Sequence, residues 1–185
     1  MRQLGLLLLL STGVSPLAAQ SVMRPPPPLD SARAAVRDAL VLLSDSLDTI
    51  DAAAARLQRD YQQASGASLL FRARSMREAC ARSIPLVPET RERVLSAEIS
   101  ETSRLKLQKD LAQALQQLKG ELTHCESEFA KMSQAGQSEI VRGYGNDRAT
   151  RMLAALRRYE KTLREFYGAM GIRVVPAGAG TKAPA

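Results

Sequence analysis

Residues 36–64 read VRDALVLLSDSLDTIDAAAARLQRDYQQA. Within them Val36, Leu40, Leu43, Leu47, Ile50, Ala54, Leu57, Tyr61 and Ala64 recur in a strict four-three alternation. That spacing returns each side chain to one side of an α-helix. A stripe this narrow buries a single seam, in coiled-coil-like packing at a crossing angle of about 20°. The stretch is a long helix that must find partners elsewhere in the chain.

Two further seams supply them. Leu111, Leu115, Leu118, Leu122, Cys125, Phe129 and Met132 repeat the pattern, and so do Met152, Leu156, Tyr159, Leu163, Phe166 and Met170. A shorter one runs Leu69, Ala73, Met76, Cys80, Ile84. The sequence between the ends is rich in Ala, Leu, Arg, Gln and Glu and holds no tryptophan, a composition of high helix propensity. The pattern predicts an all-α fold, an elongated antiparallel bundle of three to four helices over residues 30–171.

Punctuation sets the segments. The first starts at a cap on Asp30 or Ser31 and runs to about Ala64. The second covers about 67–83, and Gly66 permits either a kinked continuation of the first or a separate helix. Pro85 and Pro88 end it, with Pro88 placed as the first residue of a third segment reaching Met132. SETS at 100–103 is a potential break inside that third segment. The fourth opens on a cap at Asn146 or Asp147 and stops at Gly168 and Gly171.

The ends read differently. MRQLGLLLLLSTGVSPLAAQ has one basic residue, an apolar run from Leu4 to Leu10 and small residues at Ala18 and Ala19, the layout of a signal peptide over residues 1–19. The apolar run is too short to span a bilayer, so no transmembrane segment is expected after cleavage. Residues 20–29, with Pro25 to Pro28, form a stiff spacer, and residues 172–185 a flexible tail. The expected location is extracytoplasmic, periplasmic or secreted.

Export bears on the two cysteines, Cys80 and Cys125, because disulfides persist in oxidising compartments. A bond between them closes a 45-residue span and requires the chain to reverse near Ser100–Ser103. A hairpin turning at 85–88 would instead hold them tens of ångströms apart. The internal bond is the favoured reading. Two buried thiols or an intermolecular bond are the alternatives.

Chemistry is sparse. Glu121 and His124 match the Glu-x-x-His spacing of di-iron bundles, and Glu128 extends that face. Such a centre needs a second motif on another helix, and the chain holds one histidine. A di-iron site is therefore excluded. Glu121, His124 and Glu128 are the residues that would hold a metal if this helix bound one; the plainer reading is a solvent-facing helix edge. Asp38, Asp45, Asp48 and Asp51 diverge along a helix instead of converging from a turn, as calcium ligands do. RGYGND has glycines for an anion nest but no following phosphate-binding lysine. No enzyme, metal or cofactor is expected.

Charge is the remaining signal. The net charge is +7, and removal of Arg2 with the signal peptide leaves +6. The acids concentrate on the first helix and the bases on the second and fourth, where Arg157, Lys161 and Arg164 share a face. Glu160 and Glu165 can pair locally with Arg164 and Lys161. Export argues against nucleic acid; an anionic envelope surface or an acidic protein suits the patch better. The expected function is an exported, non-catalytic bundle with a structural or protein-interaction role, self-association included. A holdase-type chaperone and a weak metal- or small-ligand-binding bundle are the alternatives.

Overall fold

The computed structural model describes residues 31–99 and 101–171, all helix and short connection. The leader, the proline spacer and the C-terminal tail lie outside these residues. In chain order the elements are α1 (Ser31–Asp60), α2 (Gly66–Ser83), α3 (Leu86–Ser96), α4 (Thr102–Gln134), a short α5 (Ser138–Ile140), a π-helical turn (Val141–Gly145) and α6 (Asn146–Met170). They form four rods. α1 is the first, α2 with α3 the second, α4 the third, and α5 through α6 the fourth.

Each rod packs on its sequence neighbours, and the fourth returns to the first: α1 on α2 and α3, these on α4, α4 on α6, and α6 on α1. Short connections at residues 61–65, 97–101 and 135–137 make every neighbour antiparallel. The 33 residues of α4 extend about 50 Å at 1.5 Å per residue. The result is an elongated up-down-up-down bundle, as the three seams require. Every seam residue of α1 from Val36 to Leu57 is buried, as are Leu111 to Met132 and Met152 to Met170 on their seams.

Four boundaries differ from the sequence reading, each for a local reason. α1 stops at Asp60, so Tyr61 and Ala64 belong to a loop and the first two segments are separate antiparallel helices. Arg142 of the π turn closes that end, donating to the carbonyls of Tyr61, Gln62 and Ala64 at 2.8, 2.6 and 3.0 Å. A cation there suits the negative end of the α1 dipole. Ser65 then caps α2, accepting from the Ser68 amide. Gly66 is required by close approach, since a Cβ would lie 2.8 Å from the Ser138 hydroxyl.

Pro88 is the third residue of α3, not its first. A helix leaves its first four amides without intrahelical partners, so proline costs no hydrogen bond there either. The proposed third segment divides at residues 97–101, where SETS begins. Gln108, buried at 5 % exposure, takes up the carbonyls that the break releases: its Nε2 donates to Val94 at 2.6 Å and Ala97 at 2.9 Å. Gln108→Leu keeps the shape and removes the donors. We expect it to cost about 1–3 kcal/mol, the penalty for buried carbonyls without partners, read as a lower midpoint in urea.

α6 begins at Asn146, but neither Asn146 nor Asp147 caps it. The fourth rod is already helical from Ser138, and the π turn carries the chain through Gly143 and Gly145 with no side-chain cap at residue 146. Its other end follows the expectation in part. Gly171, at φ 66°, is the left-handed stop, whereas Gly168 lies inside the helix.

Candidate functional site

The antiparallel pairing of α2 with α4 decides the cysteines. Reversal at 97–101 brings Cys80 and Cys125 level, with Cα atoms 6.2 Å apart and sulfurs bonded at 2.05 Å. Both are buried, and the cross-link joins rods two and three near mid-length. Arg77 and Glu126 pair beside it at 3.1 Å. Neither cysteine remains free.

The Glu121–His124–Glu128 edge keeps His124 exposed, as the plainer sequence reading has it, while its two glutamates reach a neighbouring helix. Glu128 bonds Arg148 of α6 at 2.6 Å, and Glu121 lies 3.8 Å from Arg158. With Arg151 they line a groove of about 390 Å³ between α4 and α6, with the exposed His124 on its edge. A second groove of about 570 Å³ continues it past Leu118, Ala155 and Tyr159. The carboxylates a metal would use are thus held by guanidiniums. Among the described residues no three His, Cys, Asp or Glu side chains group as a metal site. The arrangement fastens α6 to α4.

Tyr159 lies under this groove. Its hydroxyl is buried and finds no hydrogen-bond partner among the described residues, and burial, with Tyr167 nearby, pushes its pKa far up. Burial likewise pushes Tyr167 up to about 12, with Arg37 pulling the other way. A raised folded-state pKa means the native state holds the neutral phenol. The stability this represents is fully present below the ordinary value near 10 and is lost as pH rises through about 12. Alkaline titration by circular dichroism should show that loss, and Tyr159→Phe with Tyr167→Phe should flatten it relative to wild type. Tyr159→Phe alone should be neutral or stabilising at pH 7, because it removes an orphan buried hydroxyl.

Arg157, Lys161 and Arg164 are exposed on α6. The local pairs with Glu160 and Glu165 do not form: Arg164 reaches only the Glu160 carbonyl at 3.4 Å, and Arg157 and Lys161 have no ion pair among the described residues. On α1, Asp38 pairs with Arg37 and Asp60 with Arg72 of α2. Asp45, Asp48 and Asp51 have no such partner among the described residues. The Asp48 carboxyl is raised, first by partial burial and then by its two acidic neighbours. Among the described residues the large apolar side chains most open to solvent are Phe71, Tyr144 and Leu42, at 69, 66 and 56 % exposure.

The residues missed from sequence are those that close the ends and joints. Arg142 fastens the α1–α2 loop and Gln108 the α3–α4 turn. Ser46 and Ser83 bond at 2.7 Å where α1 crosses the α2–α3 joint. Gln108, Ser83 and Thr90 occupy seam positions, so a polar residue at an apolar register was the available signal. Arg142 carried none. Among the described residues no helix is long and apolar enough to cross a membrane. No known protein family, curated protein or solved structure matches the chain.

Proposed function

We propose that the protein is an extracytoplasmic, non-catalytic helical bundle with a structural or protein-interaction role. The observation that carries this reading is the division of its polar groups. Those between the helices tie them together: Glu121 and Glu128 hold arginines of α6, Ser83 bonds Ser46 of α1, Thr90 donates to the Ala39 carbonyl and Gln108 to the carbonyls that end α3. Those left without partners among the described residues, Asp45, Asp48, Asp51, Arg157 and Lys161, stand on the outside, where another macromolecule meets them. The leader-like N-terminus and the cross-linked cysteines support an oxidising compartment.

A holdase-type chaperone is the second reading, favoured by the exposure of Phe71, Tyr144 and Leu42. A photo-crosslinking amino acid placed at Ala52 and Ala154, beside the unpaired charges, at Gln113 on α4, and at Phe71 separates the two in cells that make the protein. The interaction role expects one discrete adduct from the first two positions and none from the third. Many adducts of scattered size from position 71, with suppressed aggregation of an unfolded client, would favour the chaperone. No adduct at any position would overturn both.

A further inference from the structure

We infer that the α1–α6 face is self-complementary, and that a second copy of this chain docks there with its bundle axis parallel. The acidic stripe of each copy lies on the basic stripe of the other. This rests on the interaction reading above and names its partner.

The two stripes lie side by side and level. α1 and α6 pack directly on one another. Gln58 bonds Thr150 at one end of the pair at 2.7 Å, and Arg37 sits by Tyr167 at the other. In that antiparallel register Arg157 and Lys161 stand level with the turns holding Asp45, Asp48 and Asp51. These five side chains are exposed, and no ion pair among the described residues joins one stripe to the other. Elsewhere the arginines Arg37, Arg72, Arg77, Arg93, Arg104, Arg142, Arg148, Arg151 and Arg158 are paired.

A face carrying both signs selects its partner. A uniformly anionic surface attracted by Arg157, Lys161 and Arg164 would be repelled by the aspartates one helix away. A partner must present the same two signs in exchanged positions, which this face does when turned about a twofold axis lying in the face and parallel to the helices. That rotation sets α1 of one copy over α6 of the other, running in opposite directions. Residues level within one copy then meet across the interface, Asp45 over Lys161 and Asp48 over Arg157. Both stripes repeat about once per helical turn, so they stay in step. Glu160 and Glu165 flank the basic stripe without interrupting its three cations.

The test is sedimentation of the purified protein at low and high salt, with two charge-reversed variants. The wild type should be a dimer at low ionic strength. Its dissociation constant should rise at least about tenfold as the Debye length falls from ~30 Å at 0.01 M to ~3 Å at 1 M salt. Asp45→Lys/Asp48→Lys and Arg157→Glu/Lys161→Glu should each be monomeric with unchanged helical circular dichroism, since all four positions are exposed. Mixed together, they should form a heterodimer, because both exchanged contacts are restored. A wild-type monomer at low salt, a dimer that survives either reversal, or variants that stay monomeric on mixing would overturn the inference. So would wild-type monomer on anionic vesicles, released by Arg157→Glu/Lys161→Glu, which would assign the basic stripe to a lipid surface. A discrete photo-adduct with a different protein, alongside a monomeric chain, would sink the dimer and leave the interaction reading standing.

Discussion

Leu118→Asp should unfold the bundle or lower its melting temperature by more than about 10 °C. Leu118 is 2 % exposed at the middle of α4, between the α2–α3 rod and α6. An aspartate there is an uncompensated buried charge at a cost of about 3–5 kcal/mol, against total stabilities of about 5–15 kcal/mol. Leu47→Asp repeats the test on α1, at 6 % exposure. Exposed Gln113→Ala is the control and should move the transition by less than about 2 °C, within the surface range. Thermal melts by circular dichroism read all three. If both leucine variants melt within a degree or two of wild type, the seams do not face a core.

The second large effect is loss of the cross-link. Cys80→Ala/Cys125→Ala removes a bond across a separation of 45 residues, which the chain-entropy estimate values at about 4 kcal/mol. The bundle should remain helical and melt at least about 10 °C lower, with a correspondingly lower midpoint in urea. Reduction of the wild type should reproduce most of the loss, and adding reductant to the double variant should change nothing. A variant as stable as wild type would show that the bond constrains an unfolded chain already held in that loop.

How much of this was legible in the residues follows from what each feature depends on. The seams need only helical periodicity and a burial preference, so α1, α4 and α6 and nearly all their core residues follow from sequence. The joints depend on contacts distant in the chain. Nothing in QRDYQQAS tells that α1 ends at Asp60, because the side chain closing that end is Arg142, some eighty residues on. The α3–α4 break was visible as SETS, but its support from Gln108 requires knowing that residues 97 and 108 face each other. The partners of the metal candidate were hidden for a related reason. Glu-x-x-His spacing is a property of one helix, whereas the arginines that occupy Glu121 and Glu128 come from another. The cysteine pairing was open until the turn at 97–101 fixed the register of α2 against α4.

That register is the feature on which the bundle stands, and peptide mapping of the unreduced protein tests it most directly. Proteolysis without reductant, followed by mass spectrometry, should give one cross-linked pair joining the peptide around Cys80 to the peptide around Cys125, in the monomer. Two free thiols per chain would contradict it and favour an unbroken third helix in an extended hairpin.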